Sequence, residues 1–189
     1  MKEFQGAEAA VIVNEVVTKE RKEKNYRHPD LDEKIRTERT DQETRIMRKA
    51  RKYGVNTPEI LETEETSFKM QKIEGRQLKE IIENRPEVVE ELAEQVVKMH
   101  DADIIHGDLT TSNAVYTGEK LYLIDFGLAF HSDRTEDKAV DIHLLKQILS
   151  TSHANQENLW HLFEEKYREE GEEEVLEKLP EIEERARYK

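Results

Sequence analysis

Two short stretches carry groups suited to moving a phosphoryl group. Residues 104 to 113 read IIHGDLTTSN, and residues 121 to 127 read LYLIDFG. Each places an aspartate just after apolar residues, and the first adds an asparagine five positions later. Phosphoryl transfer asks little covalent chemistry of a protein. It requires the phosphoryl group to be held in line with its acceptor, and its charge to be neutralised by metal and cations. Asp108, in a loop after His106, can face an acceptor hydroxyl. Asn113 can turn an amide oxygen to a metal, and Asp125 of Asp125-Phe126-Gly127 supplies a second metal ligand. Either motif alone could be an ordinary turn held by local hydrogen bonds. In this order and at this spacing they point together to ATP and Mg2+ as cofactors.

The protein-kinase template also demands a strand lysine for the α- and β-phosphates and a helix glutamate to orient it. Lys19 ends the strand candidate EVVTK and Glu43 lies in the next helical region. Lys22 or Lys24 replaces Lys19 if the strand register slips. His106 is read as structural. Asp141, which opens DIHLL, fits either a helix N-cap or a brace under the Asp108 loop.

The elements that must position these groups divide the chain in two. AVIVN and EVVTKE predict a hairpin turning at Asn14-Glu15, and EILETE and SFKMQKI a second one around Glu64-Glu65. Between them a helix runs from Leu31 to Tyr53 and stops at Gly54, with Ile35, Ile46, Met47, Ala50 and Tyr53 as its apolar face. Glu74-Gly75 breaks the pattern. Helices then follow at about 77–84, at PEVVEELAEQVVKMH, at AVDIHLLKQIL and at NLWHLFEEKY. The fold class is α+β: one minimal bilobal kinase-like domain over 1–189. Its small β-rich N-lobe covers about 1–73, its hinge about 71–75, and its reduced helical C-lobe about 76–189.

Composition narrows the setting. With 39% charged residues and a formal net charge of −13, the chain is a poor free-standing nucleic-acid binder, because phosphate recognition needs a basic surface. Positions 19 to 27, KERKEKNYR, are locally basic, whereas the stretch from Glu164 to Glu184 reads as an acidic, solvated tail ahead of RARYK. There is no cysteine for thiolate chemistry, and no apolar run approaches a membrane span. The cytoplasm is the expected compartment.

Taken together, QGAEA at 5 to 9, VVTKERKEKNYRHPDLD at 16 to 32, IEG at 73 to 75, the two motifs and EDKAVDIHLL at 136 to 145 resemble one family. It is the small atypical kinase of the KEOPS complex, known in eukaryotes as PRPK and related to the RIO kinases. The resemblance implies ATP and Mg2+ binding, serine/threonine kinase or ATPase activity, and work beside a tRNA-modifying catalytic subunit and other KEOPS subunits in making threonylcarbamoyladenosine. It implies tRNA contacts mainly through that complex. It assigns Asp108 as proton acceptor, Asn113 and Asp125 as metal ligands, and Lys19 with Glu43 as the nucleotide pair. Gly6, Ala7 and Glu8 would cover the phosphates, Met70 would be the gatekeeper, and the backbone of Gln71 and Ile73 would contact adenine.

Only thirteen residues separate Gly127 from Asp141, and no Ala-Pro-Glu occurs among them. That is too little chain for an activation segment with a phosphosite and a peptide groove. The arginine that usually precedes the aspartate pairs with such a phosphate, so Gly107 in its place removes a charge with nothing to bind. Two alternatives stand beside the kinase or ATPase reading: a nucleotide-binding scaffold for the tRNA-modifying subunit, and a small-molecule kinase, since aminoglycoside and choline kinases also carry His-Gly-Asp.

Overall fold

The computed structural model describes residues 2–5, 9–152 and 158–187. Gly6, Ala7 and Glu8 lie outside the described residues, as do Tyr188 and Lys189 of RARYK.

The N-terminal half is a five-stranded antiparallel sheet in the order β1-β2-β3-β5-β4, built from β1 (Lys2–Gln5), β2 (Ala10–Val13), β3 (Val16–Glu20), β4 (Ile60–Thr63) and β5 (Ser67–Gln71). Both expected hairpins are present, and β1 is an additional edge strand. Pairing of β3 with β5 sets Lys19 opposite Phe68, a core residue. Alternation then turns Lys19 inward, where it is buried.

One long helix, α1 (Pro29–Lys52), packs on this sheet. Its start follows from Pro29 at the first helical position, with Asp30 and Asp32 in the first turn and Lys49, Arg51 and Lys52 in the last, complementing the helix dipole. The inward face differs from the apolar stripe expected. Up to its middle it buries Asp32, Thr40, Glu43 and Thr44, and only Ile46, Met47 and Ala50 in the last two turns continue the stripe. Tyr53 is half exposed, with the Lys49 ammonium over its ring. The helix is held by charge where it faces the site and by apolar packing where it faces the core.

Residues 72–75 lead from β5 to a helical half. It contains β6 (Arg76–Gln77), α2 (Leu78–Ile81), α3 (Val88–Asp101), β7 (Ile104–Ile105), β8 (Ala114–Tyr116), β9 (Leu121–Leu123), β10 (Phe130–His131), α4 (Thr135–Ser152), α5 (Leu159–Glu170), α6 (Glu173–Glu177) and α7 (Leu179–Arg187). Gly75 is obligatory at the crossing, because a Cβ there would lie 2.4 Å from the Tyr116 carbonyl oxygen. The expected face of α3 (Val88, Val89, Leu92, Val96 and Met99) is fully buried against α5, which contributes Leu159, Phe163 and Tyr167. The acidic tail folds too: Val175, Leu176, Leu179 and Ile182 enter the core while the glutamates stay outside. Among the described residues no helix is long and apolar enough to cross a membrane.

The two halves meet at Asn56, just after α1. Its backbone N–H donates to Gln95 Oε1 (2.7 Å), its carbonyl accepts from Leu123 N (2.9 Å), and its side-chain amide donates to the Leu121 carbonyl (3.1 Å). This ties the C-terminal end of α1 to α3 and β9.

Candidate active site

Of the three lysines considered, Lys19 is the one whose Nζ lies between Glu43 Oε1, at 2.6 Å, and Asp125 Oδ1, at 2.8 Å. The ammonium thus joins a helix residue to one 106 positions along the chain from the lysine itself. Glu43 is brought there from α1, whose side chain Gln42 also donates to the Ala129 carbonyl beyond Asp125 (2.9 Å).

Asp125 occupies a left-handed backbone conformation, φ 61°, which is uncommon for any residue but glycine, though asparagine and aspartate adopt it more readily than the rest. Such strain collects at functional sites. The turn carries the carboxylate out of the β9 strand toward Lys19, and the Gly127 N–H reaches back to its Oδ1 (3.3 Å). Burial pushes the Asp125 carboxyl up, but the Lys19 charge and hydrogen bond outweigh it and hold the group below the usual carboxylate range.

The loop of the first motif is folded on itself. Asn113 Nδ2 donates both to the Asp108 carbonyl (2.9 Å) and to its Oδ2 (2.8 Å), so the five-residue spacing fixes the aspartate's orientation. Ile124 N donates to the Asn113 carbonyl (2.9 Å), which laces this loop to the Asp125 turn. With its nitrogen spent on Asp108, the amide of Asn113 keeps its oxygen as the remaining polar group. His106 is wholly buried. Its Nε2 lies 3.1 Å from the Ile124 carbonyl and must therefore carry the proton, and its ring packs on Phe126 at 4.9 Å. That matches its expected structural place.

Asp141 is not an N-cap: α4 begins six residues earlier, at Thr135. The carboxylate instead points across to the loop, accepting from His106 N (2.8 Å, Oδ2) and Gly107 N (3.0 Å, Oδ1). Its Oδ2 also meets His100 Nε2 at 3.4 Å, and His100 Nδ1 meets the Tyr167 hydroxyl at 2.9 Å. A buried chain from α5 through α3 and α4 thereby supports the loop.

The backbone itself calls for glycine at 107. Its φ is 76°, and a Cβ would stand 2.5 Å from the Leu128 carbonyl oxygen. An arginine has no place in this conformation. Gly107→Ala should lose at least about 1–2 kcal/mol from the left-handed backbone alone, and more from the collision. Chemical denaturation measures this, and a midpoint equal to wild type would refute it.

Met70 sits on β5 against the core, and Gln71 ends that strand with its N–H on the Glu59 carbonyl (2.8 Å). Ile73 lies in the connection. The motifs do not point to Arg21, whose Nη2 meets Glu43 Oε2 at 2.6 Å. The same holds for Arg27 and Arg36, both on Asp32. The signals existed: Arg21 follows Lys19 by two, the spacing that keeps extended side chains on one side, and YRHPDLD contains two of the three clamp residues.

A sheet-plus-helix fold with a shared lysine, a braced loop aspartate and a strained Asp-Phe-Gly turn defines a kinase-like domain of the RIO type, and the RIO domain model matches residues 7–159. The solved Rio2 kinase–ADP/Mg2+–phosphoaspartate complex from Chaetomium thermophilum is similar at a TM-score of 0.65 and 12% identity, covering 88% of this chain and 60% of that one. The KEOPS complex subunit Bud32 of Pyrococcus abyssi is 41% identical over 98% of this chain and 94% of its own length. The chain belongs to the Bud32 family. It is also 44% identical to a probable bifunctional tRNA threonylcarbamoyladenosine biosynthesis protein of Methanosarcina barkeri, matching 97% of this chain but only 35% of that protein. The chain thus spans about a third of the length of such relatives.

Proposed function

We propose that this chain is an ATP- and Mg2+-dependent phosphotransferase or ATPase of the KEOPS complex, in the cytoplasm, serving threonylcarbamoyladenosine modification of tRNA. The observation that carries the reading is the single ammonium of Lys19 held between Glu43 and Asp125. The names of the Pyrococcus and Methanosarcina relatives support the setting: a KEOPS subunit in one, and a longer chain for tRNA threonylcarbamoyladenosine biosynthesis in the other.

The donor set fits a magnesium shared with phosphates. Mg2+ binds through one or two carboxylates plus phosphate oxygens rather than in an all-protein cage, and no cluster of three or more His, Cys, Asp or Glu able to hold a metal occurs among the described residues. Asp125 and the amide oxygen of Asn113 would hold the ion, which when bound neutralises charge on the transferring phosphoryl group. Lys19 would bind the α- and β-phosphates, oriented by Glu43, and Asp108 would take the proton of the acceptor hydroxyl or water. Met70, Gln71 and Ile73 would face the adenine, and Gly6, Ala7 and Glu8 the phosphates. The other KEOPS subunits are the partners, with tRNA reached mainly through them.

The test is ATP turnover of the purified chain, alone and with the tRNA-modifying catalytic subunit. Turnover that requires Mg2+ and rises with the partner is expected. An Asp108→Ala variant that assembles and supports full tRNA modification would favour the scaffold reading and defeat this one.

A further inference from the structure

Glu43 has a second cation that the phosphotransfer template does not include. Its Oε1 is held by Lys19 and its Oε2 by Arg21 Nη2, each at 2.6 Å, and its side chain is only 2% exposed. Arg21 is itself 3% exposed. Its backbone is fixed on both sides, with its N–H on the Thr66 carbonyl (2.9 Å) and its carbonyl accepting from Arg36 Nη1 (3.3 Å). Arg36 in turn is set by Asp32, through a 2.8 Å contact from Nε, and Asp32 also holds Arg27 at 3.3 Å. The guanidinium therefore starts from a backbone hydrogen-bonded on both sides just past β3, and it also reaches the Arg39 carbonyl at 3.4 Å. Lys19 in β3 and Arg21 just past its end, two apart, bracket one buried carboxylate.

We propose that Arg21 is a positioning residue for nucleotide binding: it keeps the buried Glu43 carboxylate neutralised and in place while Lys19 turns to the phosphates. The inference rests on the phosphotransfer reading and deepens it. In this structure Lys19 is shared between Glu43 and Asp125, and nucleotide adds phosphate oxygens to the competition. If Lys19 were the only cation on Glu43, each bond it gave to phosphate would leave a carboxylate buried without a counter-charge, which is strongly unfavourable. Arg21 removes that penalty, because Oε2 keeps its guanidinium whichever way Lys19 turns. The same pair pins α1, so the lysine–glutamate geometry exists before nucleotide arrives. Control by swinging this helix outward, a common device in regulated kinases, is blocked by the Arg21 contact, the Asp32 clamp and the Asn56 junction together.

The experiment is titration of the full chain with ADP and Mg2+, followed by calorimetry, for wild type, Arg21→Met, Glu43→Gln and the double variant. Arg21→Met should weaken ADP binding about tenfold, the size of one lost charged hydrogen bond. Glu43→Gln removes the charge that needs neutralising, so adding Arg21→Met to it should cost no further affinity. A purely fold-stabilising arginine gives the opposite pattern: a lower melting temperature, unchanged affinity of the folded protein, and no dependence on residue 43. That result overturns the proposal. If Arg21→Met does not fold, Arg21→Gln placed on Glu43→Gln and compared with Glu43→Gln alone makes the same comparison without an unpaired charge: equal affinities support the proposal and a further loss overturns it. Wild type failing to bind ADP would overturn the phosphotransfer reading and this inference with it, whereas tight binding insensitive to Arg21→Met overturns this inference alone.

Discussion

Asp125→Asn should keep the fold and lose Mg2+-dependent ATP turnover by at least about a hundredfold, the scale on which single electrostatic groups act in phosphoryl-transfer and related sites. Asparagine is the informative replacement because the backbone at this position is left-handed, φ 61°. Asparagine tolerates that region better than almost any residue but glycine. The amide can still accept from Lys19 and from the Gly127 N–H, so the turn persists. What disappears is the negative charge. Alanine would confuse the two effects, since it loses the charge and also resists the backbone. Wild-type Asp125 is held below the usual carboxylate range, so it stays fully ionised from pH 5 to 8, and any acid limb of turnover in that interval belongs to another group. Thermal melting and a phosphate-release assay on the same preparation check the prediction. Turnover close to wild type would remove Asp125 from the metal site.

What could be read from the sequence follows the type of force that holds each part. Helix α3 was legible because its stripe is apolar and regularly spaced, and it is buried as that spacing requires. Both hairpins were legible from β-rich runs on either side of a short polar turn. The strand β1 was not: KEFQ has one apolar residue, and its membership of the sheet rests on backbone pairing to β2. The stretch of α1 from Asp32 to Glu43 gave a misleading stripe because its buried face is ionic, with Asp32 and Glu43 paired to arginines and lysine. Periodicity of hydrophobic residues cannot register such a face. Glutamates dominate the acidic tail and give it a solvated look, yet four apolar side chains at helical spacing are enough to dock α6 and α7. At the site, spacing within a loop was informative, since Asn113 folds back on Asp108. Partnerships between distant elements were visible only where a template supplied them, as for Lys19 and Glu43. Asp141 reads from the sequence as either a cap or a brace, and its bonds to His106 N and Gly107 N decide for the brace, whereas the role of Arg21 rests on a contact that forms only after the chain has folded.

Asp141→Ala should be the most destabilising single change of those considered, costing on the order of 3–5 kcal/mol. The carboxylate is almost completely buried and accepts three bonds, from His106 N, Gly107 N and His100 Nε2. Removing it strands the buried His106 N–H, releases the Gly107 N–H and leaves the His100–Tyr167 pair without its end. For a chain of this size that corresponds to a fall in melting temperature of roughly 10 °C. Turnover should fall as well, because the loop that carries Asp108 loses its brace. Asp141→Asn keeps one acceptor oxygen and should lie between. The pH dependence separates charge from shape. Burial pushes the Asp141 carboxyl up, but its hydrogen bond to His100, the proximity of His106 and the His106 N–H outweigh burial, and the folded-state value is below the ordinary one. A depressed carboxyl contributes stability that is complete above the unfolded value, about 4, and is lost as the pH falls through the folded value. The stability gap between wild type and Asp141→Asn should therefore be constant from pH 8 to about 5 and narrow below about 4. A gap that stays unchanged at low pH would mean that Asp141 supports the loop by its shape alone, and the ionised carboxylate would lose its place in the account of how the His106–Asp108 turn is held.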